Sequence, residues 1–360
     1  MNADLISLIN FMKSHNAVYC LATAHIAKEL LSFCFDNGLK IDAFVQPGDT
    51  KDGANFFGVP VYGENLVPLA QNCGWIAAVG DAGAAETFLK LQRSGIYDSF
   101  LVTESMVSEM VRLALLPNAK LKGAAESERC FLLCTGPSVK NLDLLKLKNE
   151  VVFSCSYTPE FEAYGEIAPK YYVTPAAFND LEDLEYIFES LRYVENRVSS
   201  NIVFSDYNDR AFLKQYGFWK NKTVFWLMQN INWETGRGAM YDLTGSTPII
   251  WTASVMMLKI AMYMGYKKIY LIGTDHNGLI NQTYQHAYSV ENLPERLKKV
   301  IVESADITGY MRKRLYSELQ TFDEYFHLHQ IAEANGIEIY NAAPGSILDE
   351  FPKVEYESLF

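Results

Sequence analysis

Short apolar runs alternate with amphipathic helical stretches along most of the chain, and no other feature restricts the fold as strongly. Ala17–Leu21, Ile41–Val45, Trp75–Val79 and Ser99–Val102 read as strands, with helices over His25–Asn37 and Gly83–Arg93 among them. Repeated strand-helix units imply parallel sheets with helices packed on their faces. The pattern lapses in the polar stretch Lys120–Glu128 and then restarts. Two α/β domains are therefore expected, over residues 1–122 and 129–360.

The second domain opens on the strand Arg129–Cys134, followed by a helix from Val139. Further strands are expected at Val151–Cys155, Lys170–Val173 and Asn201–Phe204. Asp206–Leu243 is aromatic and irregular. Pro248–Met264 reads as an apolar helix stopped by Gly265, Lys268–Ile272 as a strand, Glu303–Ala334 as a long helix and Ile337–Tyr340 as the last strand. Each domain is expected to be Rossmann-like, the second an open, mostly parallel sheet.

Composition narrows the partners. Of 360 residues 49% are hydrophobic, which excludes disorder, yet no run approaches the ~18 apolar residues of a membrane span. The start, MNADLISLINFMKSHN, lacks the basic and apolar regions of a leader, so a soluble, cytoplasmic chain is expected. Acids outnumber bases 43 to 31, a net charge of −12 with the bases scattered, which argues against nucleic acid. Cys20, Cys34, Cys73, Cys130, Cys134 and Cys155 mostly fall in apolar runs, so buried thiols are expected. Cys130 and Cys134 lie along one strand, and His327 and His329 on different helix faces, so neither pair suits a shared metal.

Three segments carry candidate chemistry. In Phe131–Leu145 a buried strand ends at Thr135-Gly136-Pro137-Ser138, where free N–H groups at a helix start would hold a nucleotide phosphate; a plain capped strand-helix turn fits equally. In Leu243–Gly278, Thr244-Gly245-Ser246 forms a second hydroxyl-rich turn, and Gly273-Thr274-Asp275-His276 follows a strand, where open α/β sheets bind ligands. A third, Asn277–Glu295, is longer than a minimal connection and carries Tyr284, His286 and Tyr288. His276 and His286 are alternative general bases, and either can equally be a surface histidine. In Phe218–Gly238 the tryptophans Trp219, Trp226 and Trp233 read as core rather than a sugar-stacking wall, while Arg237 between glycines is a ligand candidate.

The CTGPSV turn, the TGSTP turn with its helix, GYKKIYLIGTD and the ending GIEIYNAAPGSILDEF occur together in residues 129–352. In that order they resemble the domain-of-unknown-function 115 family, also called 6-hydroxymethylpterin diphosphokinase-like, which includes motility accessory factors. They are also similar to the family 42 sialyltransferases of bacterial surface glycans, whose fold is GT-A-like. The resemblance implies a glycosyltransferase that takes a nucleotide-activated, CMP-linked sugar as substrate, needs no resident cofactor or metal, and passes the sugar to a glycan or protein acceptor. Peripheral membrane association and homo-oligomers are compatible with it. Thr135, Gly136, Pro137, Ser138 and Ser156 would hold the nucleotide. Thr244, Gly245, Ser246, Gly273, Thr274, Arg237 and Tyr284 would line the phosphate and sugar, and Asp275 would orient the reacting groups.

Two positions depart from these patterns. Cys134 stands where the family turn has its first glycine, and Leu319 where the sialyltransferases have their base histidine, which leaves that role to His276 or His286. The family's other name implies a second activity, magnesium-dependent diphosphate transfer to a hydroxymethylpterin-like alcohol. A non-catalytic sugar-nucleotide-binding subunit is the third reading. The N-terminal half resembles a small nucleotide-binding-like domain through FFGVPVYGENL, but its first turn, Ala22-Thr23-Ala24-His25, has no glycine for a pyrophosphate and suits an accessory role.

Overall fold

The computed structural model describes residues 1–46, 54–63, 72–175, 184–230, 239–280, 286–295, 298 and 310–360. They form two compact units, Met1–Leu116 with Arg210–Gly217, and Pro117–Asp209 with Phe218–Phe360. Both are α/β, and no helix among the described residues is long and apolar enough to cross a membrane.

The first unit contains the strands β1 (Ala17–Ala22), β2 (Ala43–Gln46), β3 (Asn55–Phe56), β4 (Val59–Gly63), β5 (Cys73–Ala78) and β6 (Ser99–Leu101). Its helices are α1 (Ala3–Lys13), α2 (Ala24–Asp36), α3 (Asp81–Arg93) and α4 (Glu104–Leu115). The sheet runs β3-β4-β2-β1-β5-β6, parallel except for the β3–β4 hairpin. That hairpin is the start of FFGVPVYG, and it turns on Phe57 and Gly58, both left-handed (φ 49 and 79). Arg210, buried, and Lys214 both pair with Asp36 at the end of α2, which ties the returning segment to this unit.

The second unit holds β7 (Arg129–Leu133), β8 (Val152–Cys155), β9 (Tyr171–Thr174), β10 (Ile202–Asp206), β11 (Thr223–Asn230), β12 (Ser246–Pro248), β13 (Lys268–Ile272) and β14 (Glu338–Asn341). Its helices are α5 (Tyr164–Ile167), α6 (Leu184–Glu195), α8 (Ala253–Met264) and α9 (Tyr310–Ala334); α7 (Arg210–Gln215) belongs with the first unit. All seven strand pairings are parallel, in the order β12-β11-β10-β9-β8-β7-β13-β14. Parallel strands buried on both faces need apolar side chains on both. Accordingly Cys130, Leu132, Ile269 and Leu271 enter the core beneath α8 and α9, while Phe131, Leu133, Tyr270 and Ile272 enter the core on the opposite face. Each fully buried Leu, Ile or Phe contributes ~1.5–3 kcal/mol of transfer free energy.

Several expected elements change. The helix expected from Val139 is a five-residue 3-10 turn, Pro137–Asn141. The helix expected over Pro248–Met264 begins only at Ala253, after an edge strand; Thr252 caps it with a hydrogen bond from Val255 N (3.4 Å), and Gly265 ends it in the left-handed region (φ 95). Part of the irregular aromatic stretch is the eight-residue strand β11. Trp219 and Trp226 are buried, as core residues should be; Trp233 lies outside the described residues.

Candidate active site at a sheet switch point

From β7 the strands advance in one direction, β8 through β12, and then the chain returns to β13 on the other side of β7. The β7/β13 seam is therefore where the strand order reverses. In open parallel sheets the crevice beyond the carboxyl ends at such a point is the ligand site. Four segments leave the sheet there side by side: Thr135–Ser138 after β7, Gly273–His276 after β13, Ser156 and Tyr157 after β8, and Ala342–Ser346 after β14.

The first two interlock. Gly136 N–H donates to Gly273 O (2.9 Å), and the Ser138 N–H and hydroxyl both donate to the Asp275 carboxylate (3.1 and 2.8 Å). The anion at this turn is thus a side chain of the protein itself. The Ser138 donors expected to be free for a phosphate are taken, and a five-residue 3-10 turn supplies little dipole in their place. Burial pushes the Asp275 carboxyl above its ordinary value, against the two Ser138 hydrogen bonds and the nearby His276 charge, which pull it down.

Both glycines are required by the approach of the two loops. A Cβ on Gly136 would run into the Asp275 carboxylate and the Gly273 carbonyl, and one on Gly273 (φ 71) would meet Val139 Cγ2 at 2.6 Å and Cys134 O at 2.7 Å. Gly136→Ala is expected to cost about 1–3 kcal/mol, because overpacking a tight site forces the backbone to shift. Gly245→Ala, whose Cβ would find its nearest neighbour at 3.7 Å, is expected to stay within ~0.5 kcal/mol of the parent. Denaturant unfolding of both variants gives the comparison, and equal stabilities would refute the steric account.

The ending after β14 braces the loop after β13. Asn341 Nδ2 donates to Ser346 Oγ (3.0 Å), Ser346 Oγ donates to Thr274 O (2.7 Å), and Ile347 N donates to Asp275 O (3.0 Å). Thr274 is buried with its hydroxyl toward Asn341 Oδ1 (3.4 Å), so its side chain serves this brace. After β8, Ser156 adopts a left-handed backbone (φ 51), uncommon for a residue other than glycine, asparagine or aspartate, and its carbonyl accepts from the Tyr172 hydroxyl (2.8 Å).

The two histidines differ in their surroundings. His276, itself left-handed (φ 55), is engaged at both nitrogens: Nδ1 with Glu318 Oε2 (3.2 Å) and Nε2 with the Tyr325 hydroxyl (3.0 Å). The chain of polar groups continues from Tyr325 to Ser254 (2.5 Å) and Thr252 (2.8 Å), entirely within the protein. His286 instead lies flat against Tyr288, rings 5.0 Å apart and 7° from parallel, with Nδ1 3.3 Å from Thr135 Oγ1. Tyr288 packs in turn on Tyr157 (5.1 Å), which places the β8 end beside it. Burial lowers the His286 pKa below its usual value, and the positive charge of Arg314 adds to that; hydrogen bonding by Thr135 opposes them.

Sequence reasoning missed the contribution of α9. Arg314, Glu318 and Tyr325 lie on one side of it, a spacing of four and seven residues that marks a single helix face. Arg314 reaches over Gly278, where a Cβ would collide with its guanidinium. Leu319 on the same helix is 58% exposed.

Thr244, Gly245 and Ser246 are not brought to the switch point. They form an Asp242-capped turn, with Thr244 N and Oγ1 donating to Asp242 Oδ1 (2.9 and 2.8 Å), before the edge strand β12. Four strands at ~4.8 Å spacing separate that edge from β7. The hydroxyls that do reach the site's neighbourhood are those of Thr252 and Ser254 at the start of α8. Arg237 and Tyr284 lie outside the described residues. Among the described residues, no group of three or more His, Cys, Asp or Glu side chains is placed to hold a metal ion.

No family model and no curated protein matches the chain. Among solved structures, the MAf glycosyltransferase from Magnetospirillum magneticum AMB-1 is similar at 11% identity and a TM-score of 0.38, over 80% of this chain and 49% of that one. The chain spans about half the length of that protein.

Proposed function

We propose that the second unit is a glycosyltransferase that takes a nucleotide-activated sugar at the β7/β13 switch point. The observation that carries this reading is the pairing, at one sheet switch, of an Asp275 clamped by Ser138 with a histidine kept neutral beside Thr135. The motifs shared with the sialyltransferase-like families supply the reaction class, and a CMP-linked sugar is the donor that follows from them.

The chemistry asks for a base and for a charge at the leaving group. His286 takes the proton of the acceptor hydroxyl as its oxygen attacks the anomeric carbon, and the bond from that carbon to the phosphate oxygen breaks. The departing nucleotide phosphate gains negative charge, which Arg314 is placed to meet on the same side of the strand ends. Asp275 is too closely held to move and acts by fixing the two loops. In a chain of net charge −12, the anionic donor is held by such local groups.

Thermal unfolding in the presence of CMP, UMP, GMP, AMP, CMP-N-acetylneuraminate and magnesium-ATP tests this. A ligand that binds only the folded state raises the midpoint. Cytidine nucleotides are expected to raise it most. Stabilisation by magnesium-ATP alone would move the assignment to diphosphate transfer, and no shift with any nucleotide would end the nucleotide-sugar reading.

A further inference from the structure

The helix α9 is apolar on two faces. One carries Tyr325, Leu328, Ile331 and Ala332 into the core. On the other, Met311, Leu315, Leu319 and Phe326 are 54%, 53%, 58% and 47% exposed. With ~100° per residue these four fall within roughly 80° of the helix circumference, a row interrupted between Leu319 and Phe326 by Phe322, which is partly buried and packs against the core. Tyr316, 59% exposed, lies roughly 60° further round the helix, its ring 5.9 Å from that of Trp251. Single exposed apolar residues need no explanation, but an aligned row of this kind marks a contact surface.

The charges beside the stripe identify the occupant. Arg312 and Asp323, both exposed, stand eleven residues apart, about three turns, and so lie on the same margin. A basic residue near one end and an acidic one near the other make the face complementary to itself when two such helices run antiparallel. A two-fold axis midway between them sets Arg312 of each copy against Asp323 of the other, with Leu315 and Leu319 packed in between. Isologous contacts of this kind close at two copies. A membrane surface fits less well, because interfacial helices carry Lys and Arg along the polar margin, whereas this margin is mixed and the chain carries −12.

We infer that the exposed face of α9 is the interface of a homodimer formed by antiparallel pairing of this helix. The Met311–Phe326 stretch is about 22 Å long, and one helix face covers only part of the ~800 Å² per partner of a standard interface. The dimer is accordingly reversible and depends on concentration.

Sedimentation velocity of the full chain over a hundredfold range of concentration tests it, with circular dichroism confirming that each variant is folded. The parent is expected to shift from monomer to dimer across the range. Leu319→Glu should remain monomeric, Arg312→Glu should weaken association by about tenfold, and Arg312→Glu with Asp323→Arg should restore it. A parent that stays monomeric, a Leu319→Glu variant that still dimerises, or a charge swap no better than Arg312→Glu would each overturn the proposal. Binding of phosphatidylglycerol vesicles by a monomeric parent, lost in Leu319→Glu, would assign the stripe to a membrane instead.

Discussion

His286→Asn is expected to lower turnover by about 10²–10⁴-fold, the usual contribution of a positioned general base. Turnover is read as release of nucleoside phosphate from the nucleotide sugar that stabilises the fold. His276→Asn should cost less than tenfold, because both His276 ring nitrogens are spent on Glu318 and Tyr325 and cannot accept a proton from an acceptor hydroxyl without breaking those bonds. The pH dependence separates a base from a packing residue. Burial and Arg314 lower the His286 pKa below the free value near 6.5, so the ring is neutral, and able to accept a proton, at pH 6.5 and above. The acid limb of kcat/KM should therefore lie below pH 6.5 in the parent and disappear from the residual activity of His286→Asn. The sign for folding agrees. Between the lowered folded value and 6.5 the unfolded chain binds the proton and the folded one does not, so stability falls as pH drops through that window. A His276→Asn variant that loses more turnover than His286→Asn would reverse the assignment.

What could be read from the residues alone divides along a physical line. Strand and helix periods are local, so β1, β7, β8, β9, β13 and β14 and the helices α2 and α3 fall close to where the sequence places them, as does α9 from Tyr310 onward, its expected start at Glu303 lying outside the described residues. The turns Thr135–Ser138 and Gly273–His276 were likewise legible, since Gly, Pro, Ser and Asp after an apolar run announce a strand end. The partner of each turn was not. Asp275 fills the position at Ser138 from 137 residues away, and nothing near Ser138 signals that its donors are committed. Strand order is also a global property. It sends Thr244–Ser246 to the far edge of the sheet, although the sequence carries that turn only about thirty residues ahead of Asp275. Arg314, Glu318 and Tyr325 had a local signal in their helical spacing, but only their contacts with His276 and Gly278 show that they serve the end of β13.

The second large effect concerns the buried pair beneath that same helix. Lys259, fully buried on α8, bonds Glu324 Oε1 of α9 at 2.9 Å and donates to Pro248 O at 3.0 Å, with the Tyr241 ring 5.2 Å from its ammonium. It thereby ties the two helices to the end of β12, from which the chain passes to Thr252 and Ser254. Lys259→Met would leave the Glu324 carboxylate buried with the Tyr241 hydroxyl (3.3 Å) as its remaining described hydrogen bond, and the expected loss is about 3–5 kcal/mol, the cost of an uncompensated buried charge. Lys259→Met with Glu324→Leu removes both charges and should recover most of it, since apolar replacements of a buried pair are often neutral. Urea unfolding of the four proteins of the cycle measures the coupling, and additive losses would show that the pair does not act as a unit. Burial holds the Lys259 ammonium below its ordinary value, with Glu324 pulling the other way. Between that lowered value and ~10.4 the unfolded chain keeps a proton that the folded chain has released. Lys259 therefore makes the fold more stable as pH rises through that window, and Lys259→Met should flatten the rise.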